Sequence, residues 1–288
     1  MALFAQALIN GITDGVFLAM MALGITLVFG VARFPNVAHG DFLTVGAYGA
    51  YWCTTLLHLS LPLAAIGGTV LSIAAGLLAY ALVFRKISNK PITALLVSIG
   101  LSIFIRGLLS FVAGNQQVSY DMPLWRAWRW GGIRVLPSEL AIAAASVAVI
   151  LAAHLILKYT RIGIEMRAVS DNPDLARTGG IDPGRVNRAT WSIALGVAGL
   201  AGMFVAAKTA ISPDMGWNLL LPAFAAAVLG GLGSPYGAIF AGLLIGIAQN
   251  VATLWISDTY KISFAFLILI ATLLIKPSGL TGKGEAAR

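Results

Sequence analysis

Residues 158–188 read KYTRIGIEMRAVSDNPDLARTGGIDPGRVNR. The stretch holds six Lys/Arg and four Asp/Glu, ten of the thirty charged residues in a chain of 288. The sequence on either side of it is almost unbroken apolar. Apolar blocks joined by one strongly charged loop describe a chain that lives in lipid and keeps one segment in water. A loop that concentrates charge in this way is expected to touch something in the cytoplasm.

The loop carries its own local signals. Asn172 can accept from an exposed N–H, Pro173 suits the first helical position, and Asp174 favours the positive end of a helix dipole. Gly179 or Gly180 then ends that helix, and Asp182-Pro183 starts the next, which enters apolar sequence through Arg188. The spacing predicts a short helix over 173–179, flat on the cytoplasmic face, showing Leu175, Ala176 and Ile181 beside Arg177. Small apolar residues on a surface helix fit a partner's groove. A plain solvated loop is the competing reading.

Composition agrees with a membrane chain. Hydrophobic residues make up 59% and charged residues 10%, against about 25% charged in an average soluble domain, and the mean hydropathy is +0.89. The 32 glycines suit close helix packing in lipid. The net charge of +8 points to no nucleic acid, because the basic residues lie between apolar spans; it is a topology signal. The single cysteine, Cys53, excludes an internal disulfide and a cysteine-rich metal site. Met1 to Thr13 contain no Lys or Arg, so no cleavable signal peptide is expected.

Crossing the hydrocarbon core takes about 20 apolar residues. Candidate spans are roughly 3–30, 40–57, 62–84, 92–113, 138–158, 188–211, 214–233, 235–255 and 260–276. The weakest is 214–233, which contains Asp214, Asn218 and Pro222. The expected fold is all-α, a polytopic transmembrane bundle of eight to nine spans with glycine- and proline-broken helices. It forms one transmembrane domain over 1–288, with a cytoplasmic loop at about 159–187 and an outer loop at about 114–137. Thirteen Lys/Arg fall on the side of the long loop and the C-terminus, and five (Arg126, Arg129, Arg134, Lys208 and Lys261) on the other; the former side is therefore expected inside. Nine crossings put the N-terminus outside and eight put it inside, with 31–41 or 214–233 re-entrant. The outer loop carries Tyr120, Trp125, Trp128 and Trp130 among three arginines. It reads either as an interfacial aromatic belt or as a docking surface for a soluble partner.

Catalytic patterns are missing. The three histidines are not paired at metal-ligand spacing, and no G-x-S-x-G or H-E-x-x-H occurs. The terminal PSGLTGKG, residues 277–284, lacks the first glycine of a phosphate loop and has Gly284 where Ser/Thr would hold magnesium. The chain is not expected to hydrolyse ATP. By contrast, FGVARFPNVAHGDF, residues 29–42, breaks apolar sequence with Gly30, Pro35 and Gly40 and adds Asn36, His39 and Asp41. Unpaired backbone is tolerated in a membrane only where protein or water covers it, so a broken helix lining a substrate pathway is one reading. An ordinary turn, with Asn36 capping and His39 solvated, is the other. A second interruption, GGLGSPYG at 230–237, precedes a Gly242-x-x-x-Gly246 pair, which suggests either an internal repeat or close helix packing. Among isolated charges within spans, Glu139 suits a helix start, Lys208 can snorkel, and Asp14, Asp41 and Asp214 remain. Arg106 lies deepest and needs a carboxylate or carbonyl partner.

These motifs taken together resemble a known family. RAVSDNPDLARTGGID, residues 167–182, is similar to the cytoplasmic coupling segment of ABC importer permeases. FGVARFPNVAHGDFLTVGAY at 29–48 resembles the N-terminal signature of the LivH-type permease subunit of branched-chain amino acid importers; GGLGSPYGA at 230–238 and KPSGLTG at 276–282 resemble that family's later motifs. The likeness runs in order over nearly the whole chain, although the outer-loop tryptophans are not part of it. It implies a multi-pass protein of the bacterial inner membrane, in contact with lipid. It also implies a second homologous permease subunit, two cytoplasmic ATPase subunits and a periplasmic substrate-binding protein. ATP and magnesium would sit on the ATPases, with no cofactor in this chain. Phe34, Asn36, His39, Gly40 and Asp41 would then lie on the substrate pathway. Arg167, Ala168, Asn172, Leu175, Ala176, Gly180 and Ile181 would meet the ATPase.

The function expected is import of branched-chain or related small amino acids by alternating access, driven by the separate ATPases. A self-sufficient secondary transporter or channel is the alternative; it would need an ion site built from Asp14, His39, Asp41 and Arg106. Permeases of this type also serve other amino acids, urea or amides, and small organic acids.

Overall fold

The computed structural model describes residues 2–87, 90–123, 125–130, 132–276 and 278–281. Residues 277 and 282–288, which hold part of the terminal motifs and two of the thirteen basic residues counted on the inner side, lie outside those residues. The helices are α1 (Ala2–Ala32), α2 (His39–Thr55), α3 (Leu61–Leu82), α4 (Pro91–Ala113), α5 (Pro137–Tyr159), α6 (Arg161–Asp171), α7 (Pro173–Thr178), α8 (Pro183–Lys208), α9 (Met215–Gly230), α10 (Pro235–Ala252) and α11 (Lys261–Ile275). Between α4 and α5, β1 (Trp128–Trp130) pairs antiparallel with β2 (Ile133–Val135).

Local chemistry sets most of these boundaries. Proline occupies the first turn of α3, α4, α5, α7, α8 and α10, where its missing N–H has no helical partner to lose. Asp182 and Ser234 cap α8 and α10 by accepting from Gly184 and Gly237. α2 and α9 are exceptions. Each starts from a helical-region N-cap, Ala38 and Asp214, without a side-chain cap or a leading proline.

Among the described residues, seven helical segments are long and apolar enough to cross a membrane: α1, α3 with the following turn, α4, α5, α8, α10, and α11 with the preceding turn. α2 and α9, with 17 and 16 residues, are about 25 Å long at 1.5 Å per residue, short of the roughly 30 Å hydrocarbon core. By length the count is thus seven among the described residues, beside the eight to nine expected. The difference lies in two helices that begin inside the bundle.

α1 and α8 form the buried centre. Gly11, Gly15 and Ala19 of α1 lie against Gly242 and Gly246 of α10, backbone on backbone, so the small residues of α10 serve helix packing. α2 and α3 close around α8, and Ser72 of α3 donates to the carbonyls of both Phe42 and Leu195. α4, α5 and α11 form the outer wall. Their exposed Ile92, Phe104, Phe111, Leu151, Leu274 and Ile275 are the residues that meet lipid in a membrane chain.

The two ends of the bundle differ. At one, Gln6 of α1 pairs with the backbone N–H and C=O of Arg134 in β2. At the other, α1 runs out against α6. There α9 ends at Gly230, whose carbonyl accepts from Thr281, while Leu280 donates to Leu229.

Candidate functional site

The connection between α1 and α2 is buried. Phe34 stacks on Phe84 with ring centroids 5.3 Å apart, the Asn36 side chain accepts from the Ala38 N–H at 3.1 Å, and the Val37 N–H donates to Ser98 Oγ at 3.1 Å. Only Arg33, at a φ of 55°, is exposed. His39, the first residue of α2, packs against Gly24, two turns inside α1. The chain therefore turns back into the bundle before α2 begins. Asn36 does cap locally, as an ordinary turn would have it, but His39 is enclosed, and neither of its ring nitrogens has a hydrogen-bond partner among the described residues.

From that start α2 runs into a second helix beginning inside the bundle. Gly40 and Gly216 meet backbone to backbone, so closely that a Cβ on either would collide with the other's carbonyl. Thr44 Oγ1 accepts from the Gly216 N–H at 2.9 Å and donates to the Gly40 carbonyl at 3.3 Å. The N-terminal ends of α2 and α9 thus converge, each with a partial positive charge. An acid sits at each, Asp41 in the first turn of α2 and Asp214 at the N-cap of α9.

Arg106, from the middle of α4, lies between those acids. Its Nε is 3.5 Å from Asp41 Oδ1 and 3.6 Å from Asp214 Oδ1. Its Nη2 donates to Ser102 Oγ at 3.1 Å, and its guanidinium stands over the Trp217 ring at 4.5 Å. Asp41 is almost wholly buried, and its Oδ2 has no hydrogen-bond partner among the described residues. Asp214 is 64% exposed, so the cluster has an open side. The expectation that Arg106 would find a carboxylate or a carbonyl is met by two carboxylates, both among the isolated charges. Gly40 and Asp41 therefore join Arg106 and Asp214, while Phe34, Asn36 and His39 pack into the core behind them.

A second charged group ties three other helices. Lys208 Nζ lies 2.7 Å from Asp14 Oδ1, and Asn250 donates to Asp14 Oδ2 at 2.9 Å. Lys208, which can snorkel, is paired here because α8 ends beside α1. Glu139 lies in the first turn of α5. Among the described residues no group of three or more His, Cys, Asp and Glu is placed to hold a metal ion. Two concave surfaces lie between α10 and α11 around Phe264 and Leu267 and between α2 and α3 around Trp52 and Leu71.

At the far end, Asn172 Oδ1 accepts from the N–H groups of Asp174 and Leu175, at 3.1 and 3.0 Å, and starts α7. Gly180, at a φ of 85°, lets the Ile181 N–H reach back to the Ala176 carbonyl. Leu175 is exposed, Ile181 half-buried and Ala176 buried, so of the three residues expected at the surface of this helix Ala176 packs inward. Helix α6 was not foreseen. Its signal was present: Thr160 caps it, and Ile162, Met166 and Val169 recur at helical spacing on its inner side. In α6, Arg167 donates to the Leu157 carbonyl and Ala168 is half-buried. Arg33 donates to the carbonyls of Ser170 and Asp171, joining α6 to the α1–α2 connection.

The opposite end carries exposed Trp125 and Trp128. There the Val118 and Ile211 backbones form a β-bridge, and the buried Tyr120 hydroxyl donates to the Ala47 carbonyl at 2.9 Å. Burial pushes that phenol above its ordinary pKa. The bridge holds the loop over the approach to α9.

Comparison with known proteins places these features in context. A sequence profile for the branched-chain amino acid transport system / permease component family matches residues 7–273. The chain is 30% identical over 300 residues to the high-affinity branched-chain amino acid transport system permease protein LivH of Escherichia coli K12, covering 99% of this chain and 97% of that one. It is 28% identical to the permease protein BraD of Pseudomonas aeruginosa, over 99% and 98% of the two chains. It is 24% identical to the permease protein LivM of Salmonella typhimurium, over 91% and 67%.

Proposed function

The chain belongs to the branched-chain amino acid transport permease family, and from that membership we propose that it is the membrane subunit of an ATP-driven importer for branched-chain or related small amino acids. The observation that carries this reading is full-length similarity to permeases of that transport, joined to a multi-pass helical bundle. A LivH-type and a LivM-type permease are both among its relatives, which supports a second, homologous permease subunit as partner. On this reading ATP and magnesium are held by two separate ATPase subunits, a periplasmic protein delivers the solute, and all 288 residues form one permease domain in a bacterial inner membrane.

The geometry supports a division between the two ends. The end carrying α6 and α7 faces the cytoplasm, where the exposed Leu175 and the polar residues around it meet an ATPase. Counting α2 and α9, whose inner ends are covered by the bundle, with the seven longer segments gives nine passes and puts the N-terminus outside. Closure of the ATPases moves α6 and α7, and packed helices re-seat discretely rather than bend. That motion opens the solute's path to the other side.

Reconstitution tests the reading. Permease, homologous partner, ATPases and binding protein are placed in vesicles, and uptake of labelled leucine, isoleucine and valine is followed. Uptake is expected only with ATP and the binding protein present. Uptake by this chain alone would favour the secondary transporter. Failure of the cognate binding protein to take up any of the three in calorimetry would remove the substrate and leave the architecture.

A further inference from the structure

We propose that the Asp41–Arg106–Asp214 cluster holds a zwitterionic α-amino acid by its backbone groups, the ammonium against the two carboxylates and the carboxylate on Arg106. This deepens the reading of the chain as an amino acid permease and rests on it.

Four features of the cluster lead there. First, Arg106 is not committed to either acid: its Nε stands 3.5 and 3.6 Å from them, whereas a tight charge-assisted bond is about 2.7–2.9 Å. The ring of Trp217 and the hydroxyl of Ser102 fix the guanidinium in place, so it is positioned without being saturated. Second, Asp41 Oδ2 is buried and unpartnered among the described residues. An acceptor in that condition is costly unless a donor arrives. Third, the open side is at Asp214, which is 64% exposed, so an incoming ammonium meets one carboxylate in the open and the other inside.

The fourth feature is charge balance. Two carboxylates face one guanidinium and two uncapped helix ends, and each helix end is worth about half a positive charge. The cluster is close to neutral. A zwitterion brings one charge of each sign and preserves that balance, while a cation or an anion leaves one charge uncompensated in low dielectric. Recognition of the shared backbone groups also leaves the solute's side chain outside the charged cluster. A triad that only staples α2, α4 and α9 would need neither the open side nor the unpartnered oxygen.

The test uses the assembled permease–ATPase complex in lipid nanodiscs without binding protein, with ligand contact read by saturation-transfer NMR. The probes are L-leucine, 4-methylpentanoate, which lacks the ammonium, and isopentylamine, which lacks the carboxylate. L-leucine is expected to bind, and each analogue to bind more weakly by roughly tenfold or more, the worth of one charged contact. Asp214→Asn is expected to cost leucine about tenfold and to leave 4-methylpentanoate unchanged; Arg106→Gln is expected to cost leucine and spare isopentylamine. Melting of each variant is followed alongside, and Asp214→Lys serves as a second probe of the exposed position, since it should abolish leucine contact. Equal losses for leucine and both analogues, or none, would overturn the site in favour of a structural staple. If the full transporter imports leucine and Asp214→Asn imports it with unchanged half-saturation, the site alone fails. If the transporter imports acetamide and no amino acid, the functional reading fails with it.

Discussion

Arg33 Nη2 donates to the carbonyl oxygen of Ser170 at 2.9 Å, so the residue that follows α1 also closes the last turn of α6. The backbone at Arg33 is left-handed, with a φ of 55°, a conformation that costs a non-glycine residue about 1–2 kcal/mol. The bond links the helix pair α6–α7 to the buried connection that leads, eight residues on, to Asp41. Arg33→Gly keeps the backbone angle and removes the guanidinium. The expected result is an inserted, folded permease whose ATP hydrolysis continues while solute moved per ATP falls severalfold. Vesicle uptake and phosphate release measured together check it; an unchanged ratio would refute the link.

Leu175 and Ala176 are neighbours with opposite exposure. Leu175 is 69% exposed and Ala176 is 6% exposed. Leu175→Glu should leave the melting temperature of the permease unchanged and abolish co-purification of the ATPase. Ala176→Glu should instead destabilise the permease itself, by about 1–3 kcal/mol for forcing volume into a filled site. Thermal melting in detergent, followed by pull-down of the ATPase, separates the two.

Gly216 and Gly100 offer a matched pair. A Cβ on Gly216 collides with the Gly40 carbonyl, whereas nothing lies within 4 Å of one on Gly100. Gly216→Ala is expected to cost about 1–3 kcal/mol and to separate the starts of α2 and α9, with transport lost. Gly100→Ala is expected to be neutral in both melting and uptake.

Asp14 and Lys208 should behave as one unit. The pair is partly exposed, with side chains at 33% and 21%, and Asn250 completes it. Lys208→Met alone leaves Asp14 without its cation. Adding Asp14→Asn should recover part of the loss, and a double-mutant cycle on melting should return a coupling of about 1 kcal/mol. A coupling of zero would show that the contact contributes nothing.

Much of this was legible in the chain. Proline at helix starts, Asn172 before Pro173 and Gly180 after Thr178 are local devices, because a cap or a positive φ acts within four residues. Helix α6 was legible too, through Thr160 and the spacing of Ile162, Met166 and Val169, but its eleven residues lie inside the charged loop and were absorbed into it. The buried face of Ala176 was not readable, since it depends on what packs against α7. Nor was the connection at 33–38: a Gly/Pro-rich interruption looks alike whether it lies in water or folds back beside Gly24.

By itself the sequence determined a multi-pass helical bundle, its charged loop and where most helices begin, because hydropathy, proline and capping act over a few residues. Only the tertiary structure decided which isolated charges are partners. Asp41, Arg106 and Asp214 are 65 and 108 positions apart along the chain, on helices whose order gives no sign that they meet. They meet because Gly40 and Gly216 lack side chains and let two helix ends touch, and a contact of that kind belongs to the packing of the whole bundle.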